Sequence, residues 1–241
     1  MQIQFYEEYP TKKNLIKLKL IKFPTKIFIA SKSITQFKDL EKQIKRLNPN
    51  TEVAYWPIVK NSYYISPFAN TKDLMELFKE LDSIKNPLLR DIEIPLKKSM
   101  LLTNLFSFFK NKKVIKKFLE KNKKRLTVPM QISIGSFKFM RLLGFHYNIS
   151  YEKNPMFYTS MLPKTIINQT IKDLKKIKNK DNYAIGLGTI ATGILGNEPI
   201  LSLENLEKDI EFVKRVGFNK FIIFRLGGLN KEYIEVLNKF E

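Results

Sequence analysis

Apolar and polar residues alternate over residues 1–10, with Ile3 and Phe5 on one side and Gln2, Gln4, Tyr6 and Glu8 on the other. A period of two predicts a strand. If Ile3 and Phe5 meet a covering layer of helices, the polar set points the opposite way and Glu8 arrives at the strand's C-terminal end. Thr11 then stands where a helix cap belongs, ahead of an apolar and basic run at 15–21 that Pro24 closes. A second strand at 26–30 has Ser31 and Lys32 at its end, and the helix after it repeats Phe37, Leu40, Ile44 and Leu47 at spacings of three and four. The third strand, 51–59, carries Tyr55, Trp56 and Pro57 in its last part. An aromatic loop with Tyr63, Tyr64 and Phe68 leads from it to a helix for which Thr71 is the expected cap.

The fourth strand, 86–96, places Leu88, Arg90, Ile92 and Ile94 on one face and Leu89, Asp91, Glu93 and Pro95 on the other. Buried acids are costly unless paired, hydrogen-bonded or coordinated. Asp91 and Glu93 are therefore either neutralised by Arg and Lys neighbours or used as acid–base groups or ligands. The segment 99–125 opens apolar and then carries nine basic residues between Lys110 and Arg125 against a single acid, Glu120. It predicts a long helix or helix pair with solvated lysines, the rival being a surface for nucleic acid or an anionic membrane. A fifth strand is predicted at 126–135 despite Pro129, and a sixth at 155–161 after an irregular connection. That connection holds His146, read as packed beside Phe145 and Tyr147 rather than catalytic. The rest is regular: helix 165–178, strand 183–187, a glycine-bearing loop, helix 203–216 capped by Ser202 and ended by Gly217, strand 220–226 and helix 231–240. Eight strand–helix units without a break rich in Pro, Gly or Ser predict one domain over 1–241. The fold class is α/β, a single (β/α)8 (TIM) barrel with irregular fifth and sixth units.

Composition narrows the chemistry mostly by exclusion. The chain of 241 residues has no cysteine and one histidine, His146. Disulfides, thiolate zinc, Cys-ligated iron–sulfur clusters and two-histidine metal centres are thereby excluded. Acid–base work falls to carboxylates, lysines or tyrosines. The formal charge is +20, which would attract phosphates, nucleic acid or an anionic surface. Because the basic residues are spread over nearly every predicted helix, nucleic acid is not the favoured partner. The N-terminus is too short and too acidic for a signal peptide, and no apolar run approaches the roughly 20 residues of a membrane span, so a soluble, cytoplasmic protein without a transmembrane segment is expected. Nothing in the pattern specifies an oligomeric state.

A barrel of this kind builds its site at the C-terminal ends of the strands, often with a phosphate held by the loops after strands seven and eight. Those loops carry Gly188, Gly193 and Gly196, then Gly227, Gly228 and Asn230, with Arg225 at the end of strand eight. Arg225 could add a charge-assisted contact to an anion. The catalytic candidates are Glu8, Asp91, Glu93 and Lys32, the lysine as a base or Schiff-base amine. Tyr55 and Trp56 are the candidate substrate platform. No metal-ligand motif stands out, although Glu8, Asp91 and Glu93 could offer oxygens to Mg²⁺. The leading expectation is an enzyme for a small anionic, phosphorylated substrate. The alternative is a glycoside-processing barrel, against which strand seven runs into Gly-Thr-Ile-Ala-Thr-Gly with no acid. A non-catalytic barrel with a basic binding face is the third reading.

The units FYEEYP, KIFIASKS, EVAYWPIVKNSYYISPF, GLGTIATGILGNEP and FRLGGLN resemble (β/α)8-barrel proteins of the kind found as uncharacterised open reading frames in archaea. The resemblance implies a site at the C-terminal face and names no reaction. Glycerophosphodiesterase-like barrels use a histidine pair that this chain lacks.

Overall fold

Alternating residues become the two surfaces of a closed cylinder. The structure, a computed structural model, describes residues 1–95, 99–130, 142–147, 149 and 151–241. Eight parallel strands close in sequence order: β1 (Gln2–Glu7), β2 (Thr25–Ser31), β3 (Thr51–Pro57), β4 (Leu88–Leu89), β5 (Leu126–Met130), β6 (Glu152–Phe157), β7 (Ile185–Leu187) and β8 (Lys220–Phe224), with β8 pairing back onto β1. The expected (β/α)8 barrel is therefore present. Helices α1 (Lys12–Leu15), α2 (Ile34–Leu47), α3 (Thr71–Leu81), α4 (Met100–Thr103), α5 (Phe108–Asn122), α6 (Lys164–Lys176), α7 (Leu203–Arg215) and α8 (Lys231–Asn238) lie between and after the strands.

The faces follow the period of two. Ile3 and Phe5 of β1, with Ile185, Leu187, Phe221 and Ile223, join the large core under the helices, whereas Tyr6, Phe28, Ala54, Trp56, Leu89, Ala184 and Ile222 form a smaller cluster inside the barrel. The interior is layered by chemistry. At the N-terminal end each acid meets a lysine: Lys26 pairs with Glu52 at 3.0 Å and Lys220 with Glu152 at 3.0 Å. The middle is apolar and aromatic, crossed by Tyr6 donating to Asn154 Oδ1 at 2.6 Å and Asn154 Nδ2 donating to the Ala184 carbonyl at 2.6 Å. Acids return at the C-terminal end without lysines among the described lining residues.

Several elements differ from expectation for local reasons. The first helix keeps its Thr11 cap but turns 3-10 over Ile16–Leu20. The cap of α3 is Asn70, whose Oδ1 accepts from Lys72 N at 2.9 Å, and Thr71 is its first helical residue. The β4 ladder is shorter than the predicted 86–96: one residue pairs with β3 and two with β5. Beyond Leu89 the chain leaves β3 and is held instead by Ile65 N, which donates to the Asp91 carbonyl at 3.1 Å. Pro129 is tolerated in β5 because it lies past the last β4 partner, Thr127, so its missing N–H breaks no rung. Strand β6 starts earlier than predicted, at Glu152. The part of the fifth-strand expectation at 131–135 lies outside the described residues.

Candidate active site at the barrel mouth

A cavity of about 340 Å³ opens at the C-terminal end of the barrel. Tyr6, Trp56, Tyr64, Tyr158 and Phe224 supply its aromatic wall, and Glu8, Asp91, Glu93 and Glu198 its acids. The aromatic rings form a connected group: Tyr6 lies 5.8 Å from Trp56 and 6.3 Å from Phe224, and Tyr158 lies 6.3 Å from Phe224.

Strand alternation places three of the four acids. Glu8 follows Gln4 and Tyr6 on the inward face of β1, and Asp91 and Glu93 follow Leu89 on the inward face of the chain above β4. Burial pushes the Asp91 carboxyl well above the usual carboxylate range; Glu93 and Glu8 push it further, and Arg90 pulls it back. Burial raises Glu93 as well, aided by Glu8. Glu8 is raised by burial too, against the hydrogen bond from Tyr63 and the pull of Arg225. Burial and the negative charge of Asp91, Glu93 and Glu8 keep the Tyr158 phenol protonated. Glu8, Asp91 and Glu93 are thus inclined to hold protons beside a phenol that can only donate or accept hydrogen bonds.

Arg90, Asp91's neighbour, points the other way. It is 1% exposed, and its guanidinium lies over the Tyr147 ring at 4.9 Å. Burial lowers its pKa to about 10. It therefore packs outside the cylinder and does not enter the cavity.

Glu198 was not anticipated from sequence. It arrives from the far side of the loop after β7 and is folded back so that Leu195 N donates to its Oε1 at 3.1 Å. Gly193 makes the space: a Cβ there would lie 2.8 Å from Glu198 Oε1 and 2.7 Å from the Phe224 ring. The signal was the same glycine-bearing loop, read for backbone freedom rather than for the acid it returns.

The other candidates are distributed as follows. Trp56 faces the cavity, but its neighbour Tyr55 faces outward and stacks on Phe37 of α2 at 4.6 Å. Lys32 is exposed beyond β2, its backbone N–H bound to Gln36, and does not line the cavity. Arg225 donates to Glu7 Oε1 at 2.9 Å and to the Thr192 carbonyl at 2.8 Å, and stacks over Tyr9 at 4.8 Å. Glu7, outward on β1 and fully buried, also accepts from Gly227 N at 2.6 Å. The cation expected to meet an anion is thus committed to a carboxylate. Gly227 leaves room for that guanidinium, since a Cβ there would lie 2.2 Å from Arg225 Nη1, and Gly228 lets two loops touch, its Cβ position being 1.7 Å from the Ile190 carbonyl oxygen. A Cβ at Gly188 would lie 3.3 Å from the Tyr158 Cα and the Ser160 Oγ. Asn230 caps α8 through Tyr233 N at 2.9 Å.

In the aromatic loop Tyr64 lines the cavity, Tyr63 donates to Glu8, and Phe68 is tied to the body through Phe108 and Phe145. His146 is half-buried and does not line the cavity. Among the described residues no three His, Cys, Asp or Glu side chains group closely enough to hold a metal ion, so Glu8, Asp91 and Glu93 do not form a Mg²⁺ cluster by themselves. Along the basic segment, Lys116 pairs with Glu120, Lys121 with Asp82, and Arg125 donates to the carbonyls of Leu81, Ile84 and Asn86. No described helix is long and apolar enough to cross a membrane.

No protein-family model and no curated protein sequence matches the chain. Its fold is similar to that of the spore cortex-lytic enzyme SleL of Bacillus cereus (TM-score 0.65, 10% identity, 99% of this chain and 74% of that one). It is also similar to a class V chitinase from Nicotiana tobaccum (TM-score 0.55, 11% identity, 99% of both chains). A third similar barrel is the 3-keto-D-glucoside 4-epimerase from E. coli (TM-score 0.50, 10% identity, 100% of this chain and 98% of that one).

Proposed function

We propose that this barrel is a carbohydrate-processing enzyme acting on a glycosidic substrate at its mouth. The observation that carries the reading is one cavity that combines an aromatic wall with Asp91 and Glu93 two residues apart on one strand edge. Aromatic faces suit the apolar faces of sugar rings, and glycoside chemistry needs a carboxyl that still holds a proton at working pH. Glu93 fits the general acid: it stands two residues beyond Asp91 along the chain leaving β4, and burial raises its pKa so that it tends to hold its proton. Asp91, deeper and raised further, shares the local charge with Glu93, so that ionising one holds the proton on the other. The Tyr158 phenol, which keeps its proton, can donate a hydrogen bond to a hydroxyl or other oxygen of the bound sugar. The similarity to barrels named as chitinase, spore cortex-lytic enzyme and keto-glucoside epimerase supports this reading.

A phosphorylated substrate has less support, because Arg225 is bound to Glu7 and the glycines after β8 have packing reasons. The deciding experiment measures sugar release from chitin oligosaccharides and peptidoglycan fragments by the wild-type chain and by Glu93→Gln. Replacing a general acid is expected to lower kcat by ~100-fold or more, with KM little changed. Equal turnover by the variant, or no binding of any such glycan, would remove the reading.

A further inference from the structure

The acidity of the mouth is out of keeping with the rest of the molecule. In a chain of 43 Lys plus Arg against 23 Asp plus Glu, four acids and no cation are found among the described residues lining the cavity. At the opposite end of the same barrel, Glu52 and Glu152 each have a lysine within 3.0 Å. The difference therefore lies in how the two ends are built, and only the acids at the mouth are left for something else.

Two of these acids are incompletely bonded. Glu8 is 7% exposed and Glu198 8%. Tyr63 serves Glu8 Oε1 and Leu195 N serves Glu198 Oε1. The second oxygen of each, Glu8 Oε2 and Glu198 Oε2, is buried without a hydrogen bond of good geometry among the described residues; the Ile194 backbone N–H lies close enough to Glu8 to pull its pKa down, and the Glu198 charge pushes it up. A buried acceptor left unsatisfied costs roughly 1–3 kcal/mol and more when charged. Two such atoms on side chains that line one cavity are matched by a donor that both can share once the carboxyls turn toward it. Trp56 Nε1, also buried without a partner among the described residues, belongs to a residue of the same wall and is a spare donor there.

We propose that the mouth recognises an amino sugar with a free amine, bound as an ammonium between Glu8 and Glu198 beside the aromatic wall. An ammonium carries three N–H donors and one positive charge, which matches two orphaned carboxylate oxygens and the local excess of acid. An N-acetylated sugar brings an amide with one N–H, leaves at least one oxygen unsatisfied, and adds an acetyl group. The groups facing Glu8 are Tyr9, Tyr63, Tyr64, Tyr158, Ile194 N, Glu198, Asp91, Glu93 and, from the Glu7 cluster, Arg225. Entry of the ammonium opposes the mutual repulsion of the acids and favours the ionised form of Glu8.

This inference rests on the carbohydrate reading above, and the test separates the two. Fully de-N-acetylated chitotetraose and its tetra-N-acetylated counterpart are titrated into the wild-type protein by calorimetry at about pH 6 and at about pH 7, because burial raises Glu8 above the ordinary carboxylate range. The free-amine tetramer is expected to bind at least tenfold more tightly, the gain of one or more charge-assisted hydrogen bonds. In the double variant Glu8→Gln, Glu198→Gln the ratio is expected to fall to about one. Equal or tighter binding of the acetylated tetramer by the wild type overturns the ammonium proposal and leaves the carbohydrate reading standing. Binding of neither tetramer overturns the ammonium proposal, and the carbohydrate reading then stands or falls on sugar release from peptidoglycan fragments. The wild-type comparison decides the matter even if the double variant fails to fold.

Discussion

Adjacent residues in this barrel carry opposite duties, and the clearest case is Tyr55 and Trp56. Side chains one apart on a strand face opposite sides of the sheet, so one of the two had to leave the cavity; Tyr55 does, to stack on Phe37. Alternation implies this separation, which the expectation of a shared Tyr55 and Trp56 platform overlooks. The inward setting of Glu8, Asp91 and Glu93 was legible for the same reason. Glu198 was not, because a loop residue has no period and its place depends on contacts made by Gly193 and Phe224. Nor does a glycine announce whether it serves a ligand or a neighbour. Gly228 serves a neighbour, and Gly228→Ala is expected to destabilise the protein by about 2–3 kcal/mol, since the new methyl would have to displace the Ile190 backbone. Chemical denaturation measures the loss. An unchanged midpoint would mean that the loop contact is dispensable.

At the scale of elements, the strongly periodic helices and strands were legible and the transitions between them less so. Helix α2 and strand β1 fall where the apolar spacing puts them. Strand β4 is cut short by competition: Ile65, from the aromatic loop, takes the hydrogen bond that a longer β3 ladder would have used. Helix α7 illustrates a polar residue set into a packed face. Its Asp209 is 9% exposed and accepts from Thr159 Oγ1 at 2.5 Å. Burial nonetheless pushes the carboxyl up to about 6. Raising an acid's pKa in the folded state means that folding favours the protonated form, so its contribution to stability is fully present below the unfolded value near 3.8 and is lost as pH rises through about 6. Asp209→Asn keeps an acceptor for Thr159 and removes the charge. It is expected to be more stable than wild type at neutral pH by up to about 2–3 kcal/mol, with the two converging near pH 4. Thermal melts across that range provide the check; a variant less stable than wild type at pH 7 would contradict it.

For the molecule as a whole, chain length, the count of eight strand–helix units and the lack of a break rich in Pro, Gly or Ser were enough to reach a closed (β/α)8 barrel, because eight alternating units leave few other ways to cover a parallel sheet. The charge arrangement was not legible. A net charge of +20 suggested an anion at the mouth, yet which charges line an interior depends on strand register, and register here sends the lysines to the N-terminal end and the outer surface. The composition described the exterior of the molecule and not its cavity.

Placing an acidic cavity inside a basic shell has a consequence for the speed of binding. A cationic sugar in bulk water meets the repulsion of the whole surface first and the attraction of Glu8 and Glu198 only after it has entered. Salt screens the long-range field well before it weakens a buried pair. Association should therefore accelerate as ionic strength rises, the reverse of ordinary charge-steered encounter. Trp56, the only tryptophan of the chain and part of the cavity wall, provides a fluorescence signal for stopped-flow. Between about 10 mM and about 150 mM salt the on-rate of the free-amine tetramer is expected to rise several-fold, while that of a neutral oligosaccharide stays level. An on-rate that falls with salt would mean that the mouth projects its own field outward. If it rises, the lysine coat acts as a kinetic barrier around a thermodynamic trap.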